Sequence, residues 1–174
     1  SLVLAGFVGR ITGRMGKKEA AAVATAFTGA VYLVLFALKL TNPWIYMISS
    51  AIGFLGVNFF NLVIWANITD VIDDAEVKNG KREDGTIYAV YSFARKVGQA
   101  LAGGLSGYAM GLIGYQSAAK VQTAEVLKGL YTISTLVPAL LFFCVTFMLV
   151  VVYPLNKKKV EENSEILQKR RAAR

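Results

Sequence analysis

The sequence has no histidine, one cysteine and three prolines. Without imidazole there is no histidine metal ligand and no imidazole proton relay. The lone thiol, Cys144, cannot close an internal disulfide, and its place in an apolar run suits a small packing residue. Carboxylates are missing from the middle of every long apolar run. The acidic residues lie in connections, at helix ends or in the tail: Glu19, Asp70, Asp73, Asp74, Glu76, Glu83, Asp84, Glu125, Glu161, Glu162 and Glu165. A site for Na⁺ or H⁺ usually wants a carboxylate. Any coupling-cation site is therefore expected largely outside this chain, with Asp70 the one marginal candidate. No other cofactor is expected.

What is present is apolar. Hydrophobic residues make up 55% of the 174 residues, and the mean hydropathy is +0.50. An ordinary soluble domain is less apolar. Four runs are long enough to cross a bilayer, which takes about 20 apolar residues: Ala20–Leu40, Pro43–Ile68, Ile87–Ile113 and Val126–Tyr153. A shorter apolar piece, Leu2–Val8, follows Ser1. It reads as the cut end of a transmembrane helix (residues 1–8), in a chain that is the C-terminal part of something longer. No basic region precedes it, so it is no signal peptide. Residues 9–153 read as a four-helix membrane portion and residues 154–174 as a basic tail. The fold class expected is an all-α membrane protein.

A net charge of +8 invites a nucleic-acid reading, but the distribution of the cations argues against it. Arg10, Arg14, Lys17 and Lys18 precede the first full run. Lys78, Lys81 and Arg82 lie between the second and third. Lys157, Lys158, Lys159, Lys169, Arg170, Arg171 and Arg174 follow the last. The opposite connections hold only Lys39, Lys120 and Lys128. This is the positive-inside pattern, which places the tail in the cytoplasm of a multi-pass protein of the plasma (inner) membrane. The partners expected are the lipid bilayer and a transported solute, and no nucleic acid. In this order, residues Gly9–Glu19 form a cytoplasmic loop, Thr41-Asn42-Pro43 a tight turn, Asp70–Thr86 a second cytoplasmic loop, and Gln116–Lys128 a polar outer connection. The tail from Val160 reads either as a short helix on the inner membrane face or as unstructured.

Two runs carry polar groups. In the third, Ser92, Lys96, Gln99, Gly103, Gly107 and Gly111 drift slowly around one helix face. If the membrane begins at Ile87, Lys96 lies about 14 Å deep at ~1.5 Å rise per residue. A cation near mid-bilayer costs roughly 2.5–3.5 kcal/mol on insertion scales and usually faces a wet cavity or a partner. The alternative is a lysine that snorkels to the boundary. Arg95 raises the same question. Gly103, Gly107 and Gly111 have the spacing of a helix-packing stripe. In the second run, Asn58, Asn61, Trp65 and Thr69 share a narrow arc. Amides bind hydroxyls and an indole offers a flat face to a sugar ring; another helix could satisfy the same groups. Trp65, Tyr88 and Tyr91 read equally as interfacial anchors.

The stretch Gly9-Arg10-Ile11-Thr12-Gly13-Arg14-Met15-Gly16-Lys17-Lys18 resembles the cytoplasmic loop signature of the major facilitator superfamily, although Gly13 stands where that signature has Asp. A second stretch is more specific. Asp70, Asp73, Glu76-x-Lys78 and Arg82, followed by Tyr88 and Lys96, resemble the glycoside–pentoside–hexuronide:cation symporter family. The resemblance covers essentially the whole chain, from the end of helix eight through helix twelve of a major-facilitator-type transporter. It implies sugar:cation symport by alternating access, without covalent chemistry, and a missing N-terminal half that carries the main cation carboxylates. It implies that Lys96 is the helix-eleven lysine near the sugar and cation sites and that Asn61 faces the sugar cavity; by residue type, Gln99, Trp65 and Asn58 are the further candidates for binding hydroxyls or stacking on the sugar. It further implies that Asp70, Asp73, Glu76 and Arg82 help lock the inner gate; a solvated, topology-setting loop is the other reading of these charges. Arg10 and Arg14 in the first loop, and Arg95, are further candidates for salt bridges exchanged between the inward-open and outward-open states. Two rival functions stand beside this one: a related transporter for a non-sugar solute, and a small four-helix membrane module that transports nothing.

Overall fold

The structure is a computed structural model that describes residues 2–173; Ser1 and Arg174 lie outside the described residues. It contains six α-helices in the order α1 (Leu2–Met15), α2 (Lys17–Leu38), α3 (Pro43–Asn79), α4 (Asp84–Leu112), α5 (Ala124–Phe147) and α6 (Lys157–Ala172). A five-residue π-helical turn, Met148–Val152, prolongs α5. By length and composition, α2, α3 and α5 with its π turn can cross a membrane. Helix α4, expected as a fourth span, has 29 residues. Its glycines, polar residues and cations leave it less apolar than those three.

Local chemistry sets the breaks. Asn42 caps α3 by accepting the Trp44 N–H at 2.9 Å, and Pro43 fills the first helical position, where its missing N–H costs nothing. Thr123 and Asn156 cap α5 and α6 in the same way, accepting from Val126 N–H and Lys159 N–H. Gly16, at φ 101°, separates α1 from α2 in a single residue. Only glycine takes that backbone conformation without strain, and a side chain there would also meet Glu19 and Lys157.

Two expected loops are therefore corrected. Residues 9–15 of the supposed loop Gly9–Glu19 are helical, and only Gly16 breaks the chain. The supposed loop Asp70–Thr86 is helical to Asn79 and again from Asp84, leaving four residues between. Helix α3 continues because Ile68 and Ile72, both buried, extend its packed face past the end of the apolar run. The tail forms α6, which packs along the C-terminal end of α3; Leu155 just before α6 and its own Asn163 and Leu167 are buried.

Helix α2 is the centre, packed between α3 and α5. Small residues let the backbones approach, as membrane helices require. A Cβ on Gly56 would collide with Thr28 Oγ1 and lie 2.8 Å from Ala24 O. Thr28 Oγ1 donates to Ala24 O at 2.9 Å and to Gly53 O at 3.3 Å. Across the other interface, Gly29 faces the Ala139 carbonyl and the hydroxyls of Thr25 and Thr146 pair at 2.8 Å. Tyr131 Oη donates to Leu35 O and accepts the Leu40 N–H at 3.1 Å, which ties the start of α5 to the end of α2. The stripe Gly103, Gly107 and Gly111 makes no such approach. A Cβ on any of them would meet nothing within 4 Å among the described residues, because α4 touches α3 by its first turns and buries no residue.

Candidate functional site

Of the polar arcs expected on the second and third runs, Trp65 of α3 meets α4, through Tyr88, Tyr91 and Arg95. The joint is aromatic. Trp65 of α3 lies edge-on to Tyr91 of α4 at 5.5 Å between ring centroids and tilted against Tyr88 at 6.3 Å. The Arg95 guanidinium sits 5.9 Å from the centre of the Trp65 ring, within cation–π range. Residues 88, 91 and 95 fall on one face of α4 at helical spacing. This pairing of Trp65 with Tyr88, Tyr91 and Arg95 was not anticipated. The signal was available in that spacing, but two tyrosines near a helix end read more simply as membrane anchors.

Asn58 and Asn61 of α3 and Lys96 and Gln99 of α4 are all exposed. Asn58 donates its amide N–H to Phe54 O at 2.9 Å, leaving its side-chain oxygen open. Arg95 and Lys96 form no ion pair with a described carboxylate; the ion pairs lie elsewhere. The exposed surface of α3 and α4 thus carries two amides on one helix, two cations and an amide on the other, and an indole where the helices touch. Such a face can bind hydroxyls, stack on a sugar ring and attract an anion.

A second constellation lies at the end of the molecule that holds α6. Arg82 forks to Asp73 at 2.8 Å, Glu76 at 3.0 Å and Asp84 at 2.9 Å. The carboxylates of Asp73 and Glu76 push the guanidinium pKa still higher, so its charge is permanent. Arg171 of α6 reaches the same Glu76 at 3.4 Å. Deeper in, Lys17 pairs with the buried Asp70 at 2.6 Å. Asn163 of α6, itself buried, donates to Asp74 at 2.9 Å, and Lys78 holds the other oxygen of Asp74. Arg170 caps the end of α3 by donating to the carbonyls of Glu76 and Val77. Of the residues expected to exchange salt bridges, the structure joins Asp73, Glu76 and Arg82, and Asp70 pairs separately with Lys17. Arg10 and Arg14 are exposed and outside these pairs, and Arg95 is on Trp65. Lys17, Asp74, Asn163, Arg170 and Arg171 belong to this constellation and were missed, because their partners lie more than fifty residues away in sequence or on a tail with no apolar pattern.

A family model for MFS/sugar transport proteins matches residues 1–157. The Uncharacterized symporter YjmB of Bacillus subtilis (strain 168) is 33% identical over 93% of this chain and 34% of its own length. The Glucuronide carrier protein homolog of Escherichia coli (strain K12) is 34% identical over 86% of this chain and 32% of its own length. The Putative glycoside/cation symporter YagG of the same strain is 33% identical over 63% of this chain and 24% of its own length. The chain thus spans about a third of the length of the first two of these relatives. Long apolar helices and membership together make it a multi-pass membrane protein. The chain belongs to the MFS/sugar transport protein family, among the glycoside–pentoside–hexuronide:cation symporters.

Proposed function

We propose that this chain is the C-terminal part of a sugar:cation symporter that works by alternating access. The observation that carries the reading is the exposed surface of α3 and α4. It bears hydroxyl-binding amides, a stackable indole and cations, and nothing among the described residues covers it. In this reading the remaining two thirds of a relative-length protein pack opposite that face and close a central cavity. Asn58, Asn61 and Gln99 bind sugar hydroxyls. Lys96 supplies fixed positive charge beside the sugar and the coupling ion. Trp65 offers its ring, and Arg95 is held on it. Na⁺ or H⁺ binds mainly to carboxylates of the other half. The ion pairs of Lys17, Asp70, Asp73, Glu76 and Arg82 stiffen the inner end and exchange partners between inward-open and outward-open states. Helix α4 crosses the membrane as the fourth span, its cations tolerated because they face water. The tail lies in the cytoplasm of the inner membrane.

The test is uptake of a glucuronide into proteoliposomes under an imposed Na⁺ or H⁺ gradient. A relative-length protein carrying this chain is expected to accumulate it, and its Lys96→Ala and Asn61→Ala variants to lose most of the uptake. The 174-residue chain alone is expected to give none. Full uptake by both variants, or uptake by the chain alone, sinks the reading.

A further inference from the structure

On the side of α2 away from α5, the helices α1, α2 and α3 enclose an apolar groove of about 290 Å³. Ile11 and Met15 of α1, Val23 and Phe27 of α2, and Leu55 and Phe59 of α3 line it. Its lining is almost wholly carbon, and Val23, Phe27 and Leu55 are exposed along it. In a membrane span this is a slot for hydrocarbon. What distinguishes it from other lipid-facing surface is its inner end. Arg10 and Arg14 each precede a groove residue on α1, one helical turn apart. Both are exposed, and neither makes an ion pair with a described carboxylate. Lys157 donates to the carbonyls of Gly13 and Arg14 at 3.0 and 3.2 Å. That contact brings the start of α6, with its exposed and unpaired Lys158, against the end of α1. Nearby cations differ: Lys17 is committed to Asp70 and Lys159 to Glu162.

We propose that this groove and its rim form a binding site for an anionic phospholipid of the inner leaflet. One acyl chain lies between α1, α2 and α3, and the headgroup phosphate sits among Arg10, Arg14 and Lys158. Charge complementarity selects this occupant over a neutral lipid, since a basic cluster just cytoplasmic of a span attracts anionic headgroups. The arginines suit phosphate through paired N–H donors. The site is separate from the α3–α4 face and stands whatever solute is carried.

The 174-residue chain, purified in detergent, is titrated with phosphatidylglycerol and, separately, phosphatidylcholine, each bearing a photoreactive acyl chain. Cross-links to the phosphatidylglycerol probe are expected at Val23, Phe27, Leu55 and Phe59, and much weaker ones to phosphatidylcholine. Arg10→Gln with Arg14→Gln is expected to weaken phosphatidylglycerol labelling roughly thirtyfold, at about a factor of five per cation. Arg10→Lys with Arg14→Lys keeps the charge and is expected to retain most of it, which separates lost charge from lost folding. Equal labelling by the two lipids, or full labelling of the glutamine variant, overturns the proposal. So does displacement of the probe by inorganic phosphate alone, which would mark a simple anion site. A groove that no lipid labels in a relative-length protein means that protein fills it with its own helix, and this too overturns the proposal.

Discussion

Gly56 and Gly103 both sit well inside long helices, yet only Gly56 lies beneath a neighbour. The Cβ of Gly56→Ala would press on Ala24 O, a backbone atom that cannot swing aside. Overpacking of this kind costs about 1–3 kcal/mol, more than the roughly 1 kcal/mol that alanine returns in helix propensity. Gly56→Ala is therefore expected to lower the thermal unfolding midpoint of the chain in detergent, followed by circular dichroism, while Gly103→Ala leaves it unchanged or slightly raised. Equal effects would remove Gly56 from the packing argument. A second residue-scale expectation concerns Asp70, which is only 5% exposed and held by Lys17. Lys17→Met strands a buried carboxylate. Breaking a fully buried pair costs about 3–5 kcal/mol; Lys17 is a third exposed, so about 2 kcal/mol is the expected loss. Adding Asp70→Asn removes the stranded charge and is expected to restore most of the stability. A double variant no better than Lys17→Met would show that the pair is not what the site depends on.

At the scale of elements, α6 and the C-terminal end of α3 depend on each other. Asn163 is buried on Asp74, Arg170 caps α3, and Arg171 shares Glu76 with Arg82. A chain ending at Asn156 loses all three contacts. Its amides from Asp70 to Asn79 are expected to exchange faster with deuterated solvent, while those from Gly53 to Val63 keep their protection because α2 still covers them. Unchanged exchange in the Asp70–Asn79 segment would mean that α3 holds its C-terminal end unaided. The same elements explain what could be read in advance. Helix α2, α5 with its π turn, and the start of α3 were legible within a few residues because bilayer-length runs state themselves. The C-terminal end of α3, at Asn79 and not Ile68, was not, because charge was equated with loop. Asp70, Asp73 and Glu76 are charged and helical together, and the weak signal for helix was the spacing of Ile68 and Ile72. The tail helix had no apolar period to read; what fixes it is one buried leucine, one buried amide and two arginines on distant partners. For the site, the residue types on α3 and α4 were legible, but not the joint through Trp65, which only the packing of the two helices creates.

At the scale of the whole molecule, α4 has no buried residue, although it carries the densest set of site candidates. A 29-residue helix that touches the rest through the Trp65 joint and the Arg82–Asp84 ion pair at its start is poorly held by itself. Its place in a membrane protein needs a second surface, and a chain about a third the length of its relatives leaves room for one. The physical question is whether water or lipid meets Lys96, and a thiol can answer it. Cys144 is exposed and must first be replaced, by Cys144→Ser. In that background Lys96→Cys, built into a relative-length protein in membrane vesicles, is expected to react with a membrane-impermeant maleimide. A glucuronide is expected to slow that reaction severalfold as it fills the cavity. The paired control is Leu101→Cys, an exposed apolar position on the same helix that lies about 140° around from residue 96 at 100° per residue. It should react with a lipid-soluble maleimide more than with the impermeant one, and sugar should leave it untouched. A Lys96→Cys thiol reached only through the lipid phase would place the ammonium against acyl chains, where no sugar-bearing cavity can be.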